Sequence, residues 1–290
     1  CESECNRTQI DGAVNINKLE RVIGDYGIEK GLKFEKITDE TRSEKIAVVG
    51  SGPAGLSCAY HLARRGYPVT IFEAFAKPGG MLRYGIPSYR LPENVLDAEI
   101  NRILDFGVEL KTNTMVGKDI SYDDLRSEYK VIFVAIGAHQ GLPLRIEGED
   151  APNVYTGAQF LNLVNSGEEI DVGKKVVVIG GGDSAVDAAR VSKRLGAEVT
   201  ILYRRTIKEM PAIAEEVEEA EHEGINMEFL AALIEILRNG SDGSPARGMK
   251  CIRMELGEPD ASGRRRPVPI EGSEFEVESD TIIAAISQEP

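Results

Sequence analysis

One internal repeat constrains the fold of this chain more than any other feature of its sequence. At an offset of 130 residues, KIAVVGSGPAGLS at 45–57 aligns without gaps with KVVVIGGGDSAVD at 175–187. The match continues downstream, where VTI at 69–71 aligns with VTI at 199–201. Each copy has the pattern of an apolar strand, a glycine-rich turn, a helix and a second strand. The repeat therefore predicts an α/β protein with two Rossmann-like dinucleotide-binding domains.

A third correspondence and an insertion complete the predicted organisation. VIFVAIGA at 131–138 resembles TIIAAIS at 281–287, and each is an apolar run late in its own half. The extra length of the second half predicts an inserted hairpin at about 246–278, with a turn that contains Gly, Pro and Asp. The predicted domains are a small helical element over 1–40, a first dinucleotide domain over 44–150 and a second over 151–287.

The first glycine turn has the full G-x-G-x-x-G pattern, with Gly50, Gly52 and Gly55 between an apolar strand and a helix. In this pattern the first glycine allows a tight turn, the second lets a pyrophosphate approach the backbone, and the third lets the helix pack on the strand. The helix N-terminus then faces the anion. Glu73 ends the next strand and is predicted to accept hydrogen bonds from a ribose diol.

The second turn keeps the first two glycines of the pattern, Gly180 and Gly182. Ala185 takes the place of the third, a change that the fingerprint tolerates. The second half is therefore predicted to bind a dinucleotide in the same way as the first.

The two halves differ at the end of the strand that follows the turn. Where the first half has Glu73, the second has Tyr203, followed by Arg204 and Arg205. A carboxylate at this place would repel a 2′-phosphate, whereas guanidinium groups make charge-assisted bonds with it. The second half is therefore predicted to prefer NADP(H) over NAD(H). The alternative is that both arginines pair with the acidic helix predicted at 213–223.

Two bound dinucleotides suggest one flavin and one nicotinamide, because hydride transfer needs a donor ring and an acceptor ring in contact. The segment after Glu73 favours FAD in the first half. Its two glycines at 79 and 80 permit close backbone approach, and Arg83 and Arg90 are placed to meet phosphate or flavin oxygens. Nothing equivalent follows Arg205 in the second half.

Composition argues against several other classes of function. The 290 residues carry 34 Lys and Arg against 48 Asp and Glu, a net charge of −14, so nucleic-acid and anionic-membrane partners are not expected. No apolar stretch reaches the roughly 18 residues of a membrane helix. The four cysteines contain no C-x-x-C pair, and Cys58 and Cys251 are predicted to be buried apolar side chains. Without an initiator Met or a signal peptide, the chain is predicted to be an internal piece of a cytoplasmic polypeptide.

These stretches together resemble one family. GSGPAGL, the GGMLRYGIPSYRLP loop, VAIGA, GGGDSAVD, the YRR after the second-half strand and AISQEP are similar to the small (beta) subunit of glutamate synthase. The same module occurs in the amino-terminal part of dihydropyrimidine dehydrogenase and in the large subunit of ferredoxin-NADP transhydrogenase. The resemblance covers essentially the whole chain. It implies an FAD domain and an NADP domain, with a short helical remnant of an iron–sulfur domain before them.

The resemblance also implies which residues bind each coenzyme. FAD would be held by Gly50, Ser51, Gly52, Pro53, Ala54, Gly55, Glu73, Gly79, Gly80, Met81, Leu82, Arg90, Val116 and Gly137. NADPH would be held by Gly180, Gly182, Asp183, Ser184, Ala185, Arg204, Arg205, Ala285 and Ile286. No side chain is expected to act as a catalytic acid, base or nucleophile.

At the N-terminus the resemblance is to the end of an iron–sulfur domain. The C-E-x-x-C-N pattern implies that Cys1 and Cys5 ligate [4Fe-4S] clusters in the full-length protein, with Glu20 as an oxygen ligand. From the residues alone, two thiols cannot hold a cluster that needs four ligands, and exposed terminal cysteines are the alternative.

Two features depart from the family. Ser287 stands where its members usually have glycine. The family's flavin domain also continues after the NADP domain, so weak or absent FAD binding and loss of activity are expected unless residues follow Pro290.

The resulting prediction is an NADPH-oxidising flavoprotein that passes electrons through iron–sulfur clusters. Its predicted partner is a large catalytic subunit or a ferredoxin-like acceptor. Two alternatives are a nucleotide-binding scaffold without catalysis and a disulfide-reductase-type flavoenzyme, which is disfavoured because the sequence has no redox cysteine pair. The arginine run at 264–266 is predicted to be a solvated turn, with contact to an acidic partner as the other interpretation.

Overall fold

The computed structural model of the chain describes residues 2, 4–238, 240, 243–261 and 263–289. The chain folds into two compact units. The first unit is Cys1–Leu82 with Leu91–Ile136, and the second is Arg83–Arg90 with Gly137–Pro290. The predicted domain boundary at 150 differs from this division, and the coenzyme assigned to each domain stays a prediction.

The first unit is an α/β unit preceded by a helix. Its elements are α1 (Ile16–Glu29), β1 (Ile46–Val49), α2 (Pro53–Ala63), β2 (Val69–Phe72), α3 (Met81–Tyr84, which runs into the second unit), α4 (Glu93–Leu104), β3 (Glu109–Lys111), α5 (Tyr122–Glu128) and β4 (Val131–Val134). The four strands form a parallel sheet in the order β3-β2-β1-β4. Short apolar strands such as VTIF in β2 are buried on both faces, as expected for a parallel sheet covered by helices.

Helix α1 lies within the segment 1–40, where the sequence predicts a small helical element. It begins after Asn15, whose side-chain oxygen accepts a 2.9 Å hydrogen bond from the Lys18 amide. This bond satisfies one of the free amides of the first turn. Its apolar residues Leu19, Val22 and Ile23 are largely exposed.

The second unit contains the second copy of the repeat. Its elements are β5 (Gln140–Gly141), β6 (Val154–Thr156), α6 (Gly157–Asn165), β7 (Lys175–Ile179), α7 (Asp183–Arg194), β8 (Glu198–Tyr203), α8 (Ala214–His222), β9 (Asn226–Phe229), β10 (Ala231–Arg238), β11 (Ala246–Pro259), β12 (Arg265–Glu278), β13 (Thr281–Ala284) and β14 (Gln288–Glu289). A five-stranded parallel sheet has the order β6-β13-β7-β8-β9. A separate antiparallel sheet has the order β10-β11-β12, and β14 pairs with β5.

The repeat is confirmed at the level of strand pairing. In the first unit β1 lies between β2 and β4, and in the second unit β7 lies between β8 and β13. The runs at 131–138 and 281–287 therefore supply equivalent strands, as their similarity predicts. The inserted hairpin is also confirmed, because β11 and β12 pair antiparallel from Gly248 opposite Glu278 to Pro259 opposite Arg265.

Candidate functional site

In the first unit, the glycine turn joins β1 to α2. Gly50 has φ +99°, and a Cβ atom there would lie 2.3 Å from the Ala135 carbonyl oxygen. A Cβ atom at Gly55 would lie 1.9 Å from the Gly50 oxygen. These two glycines are therefore required by the fold itself.

Gly52 is different, because the fold does not require a glycine there. A Cβ atom at Gly52 would come no closer than 3.9 Å to another atom, the Cα of Gly80, and the backbone of Gly52 is extended. The space above this residue therefore fits a ligand that approaches the backbone, which is the role predicted for the second glycine of the pattern. Gly80 has φ +55°, and its own Cβ atom would lie 2.7 Å from Gly52 Cα, so the loop at 79–80 passes close to the turn.

Glu73 is buried and holds the turn in place. One carboxylate oxygen accepts a 2.9 Å hydrogen bond from the Ser51 amide and a second bond from the Ser51 hydroxyl. The other oxygen accepts a 2.8 Å bond from the Phe75 amide. The Ser51 hydroxyl oxygen also accepts a 3.2 Å bond from the Gly79 amide, which joins the loop at 79–80 to the turn. A carboxylate has about four lone-pair positions, so Glu73 keeps acceptor capacity for a ribose diol.

The remaining predicted flavin residues lie at several places. Pro53 and Ala54 are exposed in the first turn of α2, and Met81 and Leu82 begin α3. Val116 is half-buried against an apolar cluster that includes Phe72 and Leu125. Gly137 belongs to the second compact unit, as does Arg90.

In the second unit, the turn between β7 and α7 repeats the same geometry. Gly180 has φ +145°, and its Cβ atom would lie 2.3 Å from the Ala285 carbonyl oxygen. A Cβ atom at Gly182 would come no closer than 3.9 Å to its nearest neighbour, Pro211 Cγ. Ala185, at the third glycine position of the pattern, is fully buried, so the fold accommodates alanine in place of glycine there. Both turns thus combine a crowded first glycine with an open second glycine.

Both helices that follow these turns begin without a side-chain cap. Gly52 is the N-cap of α2 and Gly182 is the N-cap of α7. The first amides of a helix have no intrahelical acceptor, and together with the helix dipole they attract an anion. The carboxylate of Asp183, in the first turn of α7, accepts a 2.9 Å hydrogen bond from the Ile213 amide. The two N-termini are therefore suited to bind phosphate groups.

A cavity of about 790 Å³ lies at the second turn. Most of the predicted NADPH residues line it, namely Gly180, Gly182, Asp183, Ser184, Arg204, Arg205, Ala285 and Ile286. Further lining residues were not predicted, among them Leu142, Ala158, Pro211, Leu233 and Arg264. Its size is within the usual range for coenzyme sites.

The two arginines after β8 have different environments. Arg204 is exposed, whereas Arg205 is buried at 6% exposure. The Arg205 guanidinium donates a 2.9 Å bond to Asp260 and a 2.7 Å bond to the Arg265 carbonyl, both on the inserted hairpin. The alternative that both arginines pair with the acidic helix is therefore wrong for Arg205, whose carboxylate partner is Asp260.

Helix α8, the acidic helix, has other partners. Arg190 bonds Glu216 and Glu223, Arg194 bonds Glu223, and the Nε of Arg90 lies 3.5 Å from Glu216. Carboxylates of this helix therefore pair with arginines inside the second unit.

Arg90 also contacts a buried carboxylate on α7. Its guanidinium donates a 2.7 Å bond to Asp187, and the Tyr89 hydroxyl lies 3.4 Å from the same residue. Burial raises the pKa of Asp187 to about 6, and the neighbouring Arg90 charge only partly offsets this effect. Arg90 is therefore bound within the second unit, and the flavin contact that the resemblance implies stays a prediction.

The predicted metal ligands are only partly described. Cys1 lies outside the described residues. Cys5 is half-buried with its Sγ 3.5 Å from the Val14 amide, and backbone hydrogen bonds lower the pKa of its thiol. Glu20 is exposed on α1. Over the described residues, no three His, Cys, Asp or Glu side chains are grouped as metal ligands.

The other two cysteines are buried or half-buried. Cys251 on β11 is fully buried, and this burial raises the pKa of its thiol to about 12. Cys58 on α2 packs against the core of the first unit, and burial raises the pKa of its thiol as well. Thiols with raised pKa values are poor nucleophiles, because the reactive species is the thiolate. The described part of the chain also contains no helix long and apolar enough to cross a membrane.

The chain has two strand–turn–helix units, and in each the second glycine of the turn leaves room for a ligand at a helix N-terminus without a side-chain cap. This arrangement is typical of oxidoreductases that bind two dinucleotides. The chain belongs to the pyridine nucleotide-disulphide oxidoreductase family, whose sequence model matches residues 44–286. This confirms the predicted fold and the predicted class of NAD(P)H-dependent oxidoreductase.

Curated relatives match the whole chain. It is 45% identical over 296 residues to the NADPH-Fe(3+) oxidoreductase subunit beta of Geobacter sulfurreducens, covering 100% of this chain and 44% of that protein. It is 38% identical over 302 residues to the glutamate synthase [NADPH] small chain of Escherichia coli, covering 100% of this chain and 64% of that one. The predicted resemblance to glutamate synthase small subunits is confirmed, and the chain spans less than two thirds of each relative.

Among solved structures, the fold is similar to that of Mycobacterium tuberculosis FprA in complex with NADPH. The TM-score is 0.73 at 20% identity, over 85% of this chain and 71% of that one. At this identity the similarity shows the fold alone.

Proposed function

We propose that this chain is the NADPH-oxidising, FAD-binding part of a larger enzyme of the glutamate synthase small-subunit type. With both coenzymes bound, FAD would accept a hydride from NADPH and would pass the two electrons on singly, through [4Fe-4S] clusters, to a partner subunit or a ferredoxin-like acceptor. The chain's own contribution is to bind the two coenzymes and to position them.

The observation that carries the proposal is the contrast between the two turns. In the first unit Glu73 directly follows β2, and its buried carboxylate is suited to a ribose diol. In the second unit the equivalent strand ends in Tyr203 and is followed by the exposed Arg204. Each charge-assisted bond to a 2′-phosphate is worth about 1.5–3 kcal/mol, which is about a tenfold to hundredfold preference. This difference supports FAD in the first unit and NADPH in the second.

The relatives support the NADPH half of the proposal and leave the acceptor open. Both relatives carry NADPH in their names, while one is an Fe(3+) oxidoreductase and the other a glutamate synthase. The same module is thus found with different acceptors, so the acceptor is set by other parts of each enzyme. We assign the clusters to the full-length protein, with Cys1, Cys5 and Glu20 among their ligands. A cytoplasmic location stays a prediction.

A disulfide-reductase-type enzyme is the second candidate, since the family name includes such enzymes. It would need two cysteines close together with reactive thiolates. Cys58 and Cys251 both have raised thiol pKa values, and the described cysteines are free. These features favour flavin-mediated electron transfer over disulfide exchange.

The proposal is tested by two variants, each of which changes only one of the two coenzyme sites. Glu73→Gln removes the charge of the ribose acceptor in the first unit, and Arg204→Ala removes a cation in the second. We expect Glu73→Gln to lower FAD affinity and to leave the affinity for NADPH unchanged. Arg204→Ala should raise the dissociation constant for NADPH and leave that for NADH unchanged. Equal effects of Arg204→Ala on both nucleotides would overturn the assignment of the second site.

A further inference from the structure

The tip of the inserted hairpin reaches the cavity at the second glycine turn. Asp260 follows β11 and Arg264 precedes β12 at this tip, and Arg264 lines the cavity together with Gly182 and Arg204. These residues come from three separate parts of the sequence. The insertion therefore contributes to the walls of the proposed NADPH site.

Arg205 anchors this tip. Its side chain is 7% exposed, and its planar fork bonds the Asp260 carboxylate at 2.9 Å and the Arg265 carbonyl at 2.7 Å. A guanidinium has five donors in a fixed plane, so these two bonds fix the position of the tip relative to the end of β8. Arg205 is thus engaged by the protein itself.

Asp260 connects the anchor to Arg264. One of its oxygens accepts from Arg205, and the other lies 3.3 Å from the Arg264 amide. The Asp260 amide donates a 2.7 Å bond to the Arg264 carbonyl, and the Gly263 amide donates a 2.9 Å bond to the Asp260 carbonyl. The backbone of Arg264 is therefore held by the same residue that pairs with Arg205.

The three consecutive arginines of the hairpin have different environments. Arg265 donates bonds to the Leu256 and Gly257 carbonyls, so it joins the two strands. Arg266 is exposed on β12 and is not among the residues that line the cavity. Arg264 is exposed and lines the cavity. Arg264 is thus placed to contact a ligand in the cavity, and Arg266, two residues further along the chain, is a matched control.

We propose that Arg264 and Arg204 together recognise the 2′-phosphate of NADP(H), and that Arg205 is a positioning residue that holds the hairpin tip. This inference rests on the proposed function of the second unit. A phosphate monoester is close to a dianion at neutral pH and matches the planar donor pattern of guanidinium groups. The hairpin insertion would then serve to select the phosphorylated coenzyme.

Equilibrium binding tests the proposal without turnover. Adenosine 2′,5′-bisphosphate and 5′-AMP differ only in the 2′-phosphate, and calorimetry gives the dissociation constant of each for the whole protein. Arg264→Ala should weaken binding of the bisphosphate by about tenfold or more, the effect of one charge-assisted bond, and leave 5′-AMP binding within about twofold. Arg266→Ala, which removes the same charge two residues away, should change neither constant.

The outcomes separate this inference from the function on which it rests. If Arg204→Ala weakens bisphosphate binding and Arg264→Ala does not, the role of the hairpin is refuted and the NADPH site remains. If the unmodified protein binds both probes equally, the NADPH assignment itself fails.

Arg205→Lys tests the positioning role. This variant keeps the charge and loses the two-bond fork, so bisphosphate binding should weaken while 5′-AMP binding is unchanged. A fall in melting temperature with an unchanged ratio of the two dissociation constants would show that Arg205 is only structural.

Discussion

Gly182→Ala is predicted to weaken NADPH binding in a protein that folds normally. An added Cβ atom at this position would have its nearest neighbour at 3.9 Å, and the backbone angles, φ −96° and ψ 174°, suit any residue. Replacing glycine by alanine at an allowed conformation gains about 0.4–1 kcal/mol through the unfolded chain, and replacing a glycine N-cap by alanine costs about 0.5–1 kcal/mol. The net change in unfolding free energy is therefore expected to be close to zero.

Gly180→Ala is the matched comparison two residues earlier. Its φ of +145° is nearly restricted to glycine, and the added Cβ atom would lie 2.3 Å from the Ala285 carbonyl oxygen. Backbone strain of this kind costs about 1–3 kcal/mol, and forced overpacking adds a similar amount. Gly180→Ala should thus be destabilised by about 3 kcal/mol or more.

The assay combines denaturant unfolding with calorimetric binding of NADPH. Gly182→Ala should unfold at the same denaturant midpoint as the unmodified protein and bind NADPH about tenfold to a hundredfold more weakly, since the methyl group displaces phosphate from the α7 amides. Gly180→Ala should show a lower midpoint. Unchanged NADPH binding by Gly182→Ala would refute the assignment of the open space above Gly182 to a coenzyme phosphate.

Three further predictions follow from individual contacts. Arg90→Gln should cost about 3 kcal/mol of unfolding free energy at pH 8, because the buried Asp187 carboxylate loses its closest cation. The pKa of Asp187 is raised to about 6, so the carboxyl is charged above pH 6 and takes up a proton below it. The free energy lost in Arg90→Gln should therefore be smaller at pH 5 than at pH 8. An equal loss at both pH values would contradict this interpretation. Glu73→Ala should destabilise the first unit by about 1–3 kcal/mol even without coenzyme, because the Ser51 and Phe75 amides lose their acceptor, and unchanged thermal unfolding would count against that role. In thiol labelling at pH 8 followed by mass spectrometry, Cys5 should react before Cys58, and Cys251 should react only after unfolding. Early labelling of Cys251 would show that its burial is not maintained.

The strand–turn–helix units could be predicted from the sequence because their constraints are local. Gly50 and Gly180 have positive φ angles that favour glycine, so each turn shows a glycine at a recognisable spacing in the sequence. The alternation between apolar strands and helices then determines the parallel sheets. The inserted hairpin was visible for the same reason, since a turn rich in Gly and Pro separates its two runs.

The part that sequence reasoning missed depends on contacts distant along the chain. Arg205 and Asp260 are 55 residues apart, and their pairing depends on the register of β11 and β12, which shifts twice through irregularities. No local pattern predicts such a register. The sequence therefore assigns one role to Arg204 and Arg205, although Arg204 is exposed and Arg205 is buried. Similarly, the partner of Arg90 on α7 lies 97 residues away.

The most direct test is an anaerobic titration of the purified full-length protein with NADPH, followed by its visible absorbance spectrum. The account predicts a flavin spectrum that is bleached by NADPH at far lower concentrations than by NADH. A protein that binds NADPH but carries no flavin, or a flavin that NADH reduces equally well, would contradict the assignment of two different dinucleotides to the two turns.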